Sequence, residues 1–193
     1  MDCFLNWLEK YELLIELIIT ILTIILSLYA VFQTKIIAER QEKLQEKEIK
    51  ISVYEQKNQI NKVLNSAFDI AAKMKLFFEK LDVMKLNSSK MHDVLKAFLN
   101  DIDVKNTSYI LEQSRFFVSP ELYINIRRVR ICFMTITTNI DCFDLIKKDE
   151  QGEKEEAEEI KTTLVDEIYK SCVEIAEVQS VVEKEMIQEL KFS

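Results

Sequence analysis

Residues 13–32 read LLIELIITILTIILSLYAVF, twenty residues with a single charge, Glu16, near the start. At about 1.5 Å rise per residue, a helix of this length spans roughly 30 Å, the hydrocarbon thickness of a bilayer. The run is apolar on nearly every face, which the core helix of a soluble domain rarely is. It predicts a transmembrane helix, and it makes the residues that follow a domain tethered at its N-terminus.

The run is not uniform. Glu16, Thr20, Thr23, Ser27 and Thr34 recur at steps of four, three, four and seven, with Ala30 in the gap. On a helix these positions fall in one stripe, about 80° wide at roughly 100° per residue. The other faces carry Leu, Ile, Val, Tyr and Phe. A single span has nowhere to place such a stripe in lipid, so self-association is expected, with the membrane lipid and further copies of the chain as its partners. Two arrangements fit: a small-polar packing face with Glu16 reaching the headgroups, and a face lining a hydrated pore.

Composition points the same way. The chain has 193 residues with one Gly, Gly152, and one Pro, Pro120, and is rich in Leu, Ile, Glu and Lys. So few breakers predict an all-α protein and exclude folds that need many tight turns. The net charge of −7 does not favour nucleic acid or an anionic membrane surface in bulk. Cys3, Cys132, Cys142 and Cys172 show no CxxC spacing, and with one His no zinc set is expected, nor any other metal or cofactor. The segment lacks the basic n-region and small-residue cleavage site of a signal peptide. Only Lys10 precedes the span, whereas Lys35, Arg40, Lys43, Lys47 and Lys50 follow it, so the N-terminus is expected outside and the C-terminal domain in the cytoplasm. Trp7, Tyr11 and Tyr29 stand near the two interfaces, as aromatic anchors do.

The organisation read from this pattern is a flank and span over 1–34, a charged juxtamembrane stalk helix over 35–57 and a bundle of four to five helices over 58–193. In the stalk only Ile37, Leu44 and Ile51 repeat, a seven-residue seam too thin to pack on a core but able to line an oligomer, with a bend expected at Ile51-Ser52-Val53. Ile60, Leu64, Ala67, Ala71, Met74, Phe78 and Leu81 alternate steps of four and three, with Val63, Ile70 and Phe77 widening the face, and predict a core helix ending near Leu86-Asn87. A shorter helix with Met91, Val94, Leu95 and Phe98 inward follows, then a polar break from Asn100 to Ser108. Ser119-Pro120-Glu121 is a helix start, with a cap residue, Pro at the first position and an acid in the first turn. Its helix carries Leu122, Ile126, Val129, Phe133, Ile136, Ile140 and Phe143 to about Lys148. The acidic stretch Asp149 to Glu159 is expected to be a solvated loop followed by the acidic first turns of a last helix, which carries Leu164, Ile168, Ile175, Val178, Val182 and Met186 and ends near Leu190.

Chemistry is sparse. One Gly rules against a phosphate-cradling loop. Any acid–base site would have to use His92, and no spacing pairs it with a nucleophile. Arg127, Arg128 and Arg130 form a basic cluster expected on the outer side of the 120–148 helix, facing RNA phosphates, an acidic partner, the acidic 149–159 loop or solvent.

The stretch Asn87-Ser-Ser-Lys-Met-His92 has the spacing N-x4-H. It resembles a degenerate form of the HEPN ribonuclease motif, R-x4-6-H, in which Arg and His from two protomers make a composite RNA-cleaving site. Here Asn87 stands at the Arg position, and no Arg lies four to six residues before His92. Asn cannot supply the fixed charge that Arg gives a transition-state phosphate, so the expectation leans against an enzyme. The alternative at the same residues is an Asn helix cap followed by an exposed His. Together the span, a helical domain of this size and the N-x4-H remnant resemble the small single-span accessory proteins of type VI-B, RNA-targeting CRISPR systems. That resemblance implies a prokaryotic inner-membrane protein, antiviral defence with membrane disruption, and an RNA-guided nuclease or RNA as partner. The expected function is a homo-oligomeric membrane protein forming a pore or perturbing the bilayer. The alternatives are a membrane-tethered ribonuclease using His92 and a non-catalytic scaffold that recruits a partner through the bundle.

Overall fold

No Gly or Pro occurs before Pro120, and the first helix accordingly has nothing to stop it early. In the computed structural model, which describes residues 2–80, 88–149 and 154–191, α1 runs Asp2–Lys80. It is followed by α2 (Ser88–Leu99), α3 (Val104–Gln113), a 3-10 turn (Ser114–Phe116), α4 (Pro120–Asp149) and α5 (Lys154–Lys191). Among the described residues every regular element is helical, so the chain is all-α, an N-terminal apolar helix followed by a helical bundle. It divides into two compact units, Met1–Lys50 and Ile51–Ser193.

In the first unit the large apolar side chains are bare. From Leu17 to Phe32 they range from 47% exposed at Ile21 to 68% at Val31, against a core where such residues are near zero. This part of α1 is long and apolar enough to cross a membrane. Water is the wrong solvent for so much unpartnered apolar surface.

In the second unit α4 is the central element, packing most extensively on α5 and also on α2 and α3. The seven positions predicted for its inner face, Leu122, Ile126, Val129, Phe133, Ile136, Ile140 and Phe143, are all at 0% exposure. Each contributes about 1.5–3 kcal/mol of transfer free energy. The start is as predicted: Ser119 Oγ accepts from Leu122 N at 3.4 Å, and Pro120 opens the helix. On α5, Leu164, Ile168, Ile175, Val178, Val182 and Met186 are buried to meet it. The C-terminal part of α1 adds Ile60, Leu64, Ala67, Ile70, Ala71 and Met74, and also Phe68, which the four-three pattern omits. Phe77 meets Phe98 of α2 edge-on at 5.8 Å between centroids, and Phe78 meets Tyr169 of α5 at 6.2 Å. Leu81, Leu86 and Asn87 lie outside the described residues.

The polar break expected from Asn100 to Ser108 is corrected. α3 begins at Val104, inside it, because Asp103 caps it: its carboxylate accepts from Asn106 N at 3.0 Å. The stretch looks like a loop only because the first turn of α3 shows its polar face to solvent, while Thr107 and Leu111 point inward.

One polar knot lies among these apolar contacts. Lys57 Nζ on α1 donates to Glu189 Oε2 at 2.9 Å and to the Glu189 carbonyl at 3.3 Å, and Glu189 Oε1 accepts from Ser119 N at 2.9 Å. The Lys57 and Glu189 side chains are 10% and 21% exposed. Burial alone would raise the Glu189 carboxyl, but the hydrogen bonds from Lys57 and Ser119 outweigh it and hold it below the ordinary carboxylate value. The knot ties α1, the start of α4 and the end of α5 together.

Candidate functional site

The candidate membrane-active face lies in the first unit. Glu16, Thr20, Thr23, Ser27 and Thr34 are all solvent-exposed on α1, aligned as their spacing predicts. Each hydroxyl donates back along its own helix. Thr20 Oγ1 bonds the Glu16 carbonyl, Thr23 Oγ1 that of Ile19, Ser27 Oγ that of Thr23 and Thr34 Oγ1 that of Ala30, every one at 2.8 Å. This corrects one step of the sequence argument. The hydroxyls do not need an outside partner to be tolerated in lipid, since the proton is satisfied four residues back. What the stripe presents outward is hydroxyl lone pairs, small side chains and the Glu16 carboxyl, the group that stays costly in hydrocarbon.

The second unit holds the other sequence candidates, and it separates them. His92 is not the exposed residue expected of a capped helix start: it is 5% exposed on the inner side of α2, between the core residues Met91 and Leu95. Its Nδ1 lies 3.6 Å from Asp93 Oδ1. α2 turns residues 91, 92 and 95 toward the core together, which places the imidazole with the apolar set. A general acid or base must come within about 3 Å of the proton it moves, and a buried ring does not reach an RNA backbone. Asn87, the other half of the motif, lies outside the described residues.

The three arginines do not form one patch. Arg128 turns to α5, where its Nε and Nη2 donate to Glu174 Oε1 at 3.2 and 3.1 Å. Arg130 turns to α3, donating from Nη1 to Glu112 Oε2 at 2.7 Å and from Nε to Ser108 Oγ at 3.2 Å. Arg127 faces solvent. Steps of one and two along a helix spread side chains over different faces, and each neighbouring helix supplies a carboxylate. The acidic 149–159 loop, named from sequence as a target for these arginines, is not where Arg128 and Arg130 go.

Two buried thiols stay protonated at neutral pH. Burial pushes both Cys132 and Cys172 up to about 12, with Glu174 adding to the effect at Cys132 and Cys132 adding at Cys172. Among the described residues no group of three or more His, Cys, Asp or Glu is placed to hold a metal ion.

No family model matches the chain, and neither a curated protein nor a solved structure does. Sequence reasoning missed the Lys57–Glu189–Ser119 knot entirely. Its only local signal was Ser119 as a cap, and the other two partners lie 62 and 70 residues away in either direction along the chain, while Lys57 and Glu189 are separated by 132.

Proposed function

We propose that the chain is a single-pass membrane protein that self-associates through the face headed by Glu16 and perturbs the bilayer, with the helical bundle as its control domain. The observation that carries this reading is the stripe: a carboxyl and four hydroxyl side chains aligned along a helix whose remaining faces are exposed apolar residues. Because the hydroxyl protons are bonded within the helix, Glu16 supplies the drive. A charge at the centre of a span costs about 2.5–3.5 kcal/mol in a bilayer; Glu16, about one turn inside the run, bears part of that cost, and a second copy offers a carboxyl or a hydroxyl lone pair to share the proton. Ser27 and Ala30 on the same face let two backbones approach closely.

The resemblance to the accessory proteins of type VI-B CRISPR systems gives this activity a setting. It is antiviral defence at a prokaryotic inner membrane, with the bundle in the cytoplasm and an RNA-guided nuclease or its RNA upstream. The ribonuclease alternative has less support, since His92 is buried and the Arg of the motif is absent. One observation favours a scaffold as the second reading: Ile124 and Ile131, one heptad apart on α4, are 61% and 51% exposed.

Single-molecule photobleaching of the labelled full chain in vesicles tests the proposal. Wild type is expected to bleach in several steps. Glu16→Leu is expected to weaken association about three- to twentyfold, the worth of one interhelical hydrogen bond of about 0.6–1.7 kcal/mol. Thr20→Val with Thr23→Val is expected to change it less, because those hydroxyls are satisfied internally. Single-step bleaching of the wild type contradicts the proposal and leaves the scaffold.

A further inference from the structure

Beyond the span, still within the first unit, Arg40, Lys43, Leu44 and Lys47 line a shallow groove along α1. They stand at steps of three, one and three, so they share one side of the helix. Among the described residues no ion pair engages Arg40, Lys43 or Lys47, whereas Lys50 pairs with Glu46 at 4.0 Å. Glu39, Glu42, Glu46 and Glu48 sit about 90° or more around the helix from the groove centre. The stalk is nearly neutral as a composition, yet its charge is sorted by face.

The groove bears on the expected stalk seam. Leu44 is the middle residue of the heptad Ile37, Leu44, Ile51, and Ile37 and Leu44 are 52% and 59% exposed. If copies of the chain met in parallel on Leu44, Arg40, Lys43 and Lys47 of each would face those of the next. Like charges brought together in this way oppose association. The three cationic ends, standing around an apolar floor of Leu44 and side-chain stems, suit an anion.

Distance and direction say which one. Arg40, Lys43 and Lys47 lie eight, eleven and fifteen residues beyond Phe32, so their Cα atoms stand about 12, 16 and 22 Å past the apolar run, with Lys47 at the edge of reach. Every Cα–Cβ bond on a helix leans toward the N-terminus, which here is toward the span, and long cationic side chains extend that reach. The headgroup layer is roughly 5–7 Å deep, and charges interact across a further 8–10 Å at physiological salt. We infer that the Arg40–Lys43–Lys47 face binds the headgroups of anionic phospholipids, with Leu44 in its floor. The inference rests on the membrane-inserted reading of α1 but not on self-association.

The test uses the full chain in nanodiscs containing equal parts phosphatidylglycerol and phosphatidylcholine, released into native mass spectrometry to count retained lipids. Wild type is expected to retain phosphatidylglycerol over phosphatidylcholine. Each of Arg40→Gln, Lys43→Gln and Lys47→Gln is expected to cut the ratio, by up to about fivefold for the residues nearest the surface. Lys105→Gln, Lys170→Gln and Lys184→Gln together, the same loss of charge on exposed bundle positions, are expected to leave the ratio unchanged. Added inorganic phosphate is expected not to displace the lipid, and displacement would reassign the groove to free phosphate and overturn the inference. Equal retention of the two lipids by wild type, or a preference that survives the groove substitutions, also overturns it. Flotation with neutral vesicles checks insertion independently: a chain that fails to float overturns the span reading and the inference together, while one that floats without lipid preference overturns the inference alone.

Discussion

Lys57→Met is expected to destabilise the bundle by about 3 kcal/mol, the low end for breaking a buried ion pair, since Glu189 retains some exposure. Methionine keeps most of the volume but takes the ammonium away from the Glu189 carboxylate in a half-dry site. Glu189→Gln strands the more deeply buried Lys57 ammonium instead, so it should cost a comparable amount, softened only by the acceptors that remain to Lys57, the backbone carbonyl and the amide oxygen of residue 189. The pair also gives stability a pH dependence of known sign. The folded-state Glu189 carboxyl lies below its ordinary value of 4.5, so the contribution is fully present above that value and is lost as pH falls through the folded-state value. Lys57→Met should flatten that acid limb. Urea unfolding of the detergent-purified chain, followed by near-ultraviolet circular dichroism, measures both effects. The near-ultraviolet signal is the right one because the apolar part of α1 stays helical in detergent and masks the bundle in the far ultraviolet. An unchanged midpoint would mean that Lys57 is solvated and the knot holds nothing.

Phe133→Ala is expected to cost about 3–5 kcal/mol, since it empties a fully buried ring position at the middle of the most widely packed helix. Phe133 lies among the seven inward residues of α4, so its cavity opens onto side chains of α4 itself and of its neighbours and cannot be filled from one direction. In a domain of this size that corresponds to a fall in the bundle's melting temperature of roughly 6–20 °C. Phe133→Leu, which leaves a smaller void, should recover more than half of the loss. Ile124→Ala on the exposed side of the same helix is the control and should change the melting temperature by no more than about 2 °C. If Phe133→Ala and Ile124→Ala were equivalent, the assignment of the inner face of α4 would be wrong.

What could be read from sequence follows how local each cause is. The inner face of α4 was legible because steps of four and three are a property of one helix, and all seven positions are buried. The long α1 was legible because nothing in it stops a helix. The start of α3 was within reach, since Asp103 precedes a helix-compatible stretch, but the polar residues of its first turn hid it. The burial of His92 was not legible: its neighbours on α2 suit a helix of either orientation, and only the packing of other helices decides which side is inside. The same holds for Arg128 and Arg130, whose partners Glu174 and Glu112 come from helices 46 and 18 residues away in sequence.

The stripe on α1 was legible as an alignment but misjudged as an energy. Spacing placed Glu16, Thr20, Thr23, Ser27 and Thr34 on one face, and the back-bonding of the hydroxyls then removed most of the cost that had been assigned to them. The weight moves to Glu16. Glu16 thus carries the proposed self-association, and Arg40, Lys43 and Lys47 carry the proposed contact with anionic lipid.

Release of a trapped fluorescent dye from vesicles carrying the reconstituted full chain tests the central claim most directly. Release is expected to rise more steeply than in proportion to protein density, since copies must meet, and Glu16→Leu is expected to need about three- to twentyfold higher density for the same release. Dye retained by wild type at every density, or equal release by wild type and Glu16→Leu, would contradict it.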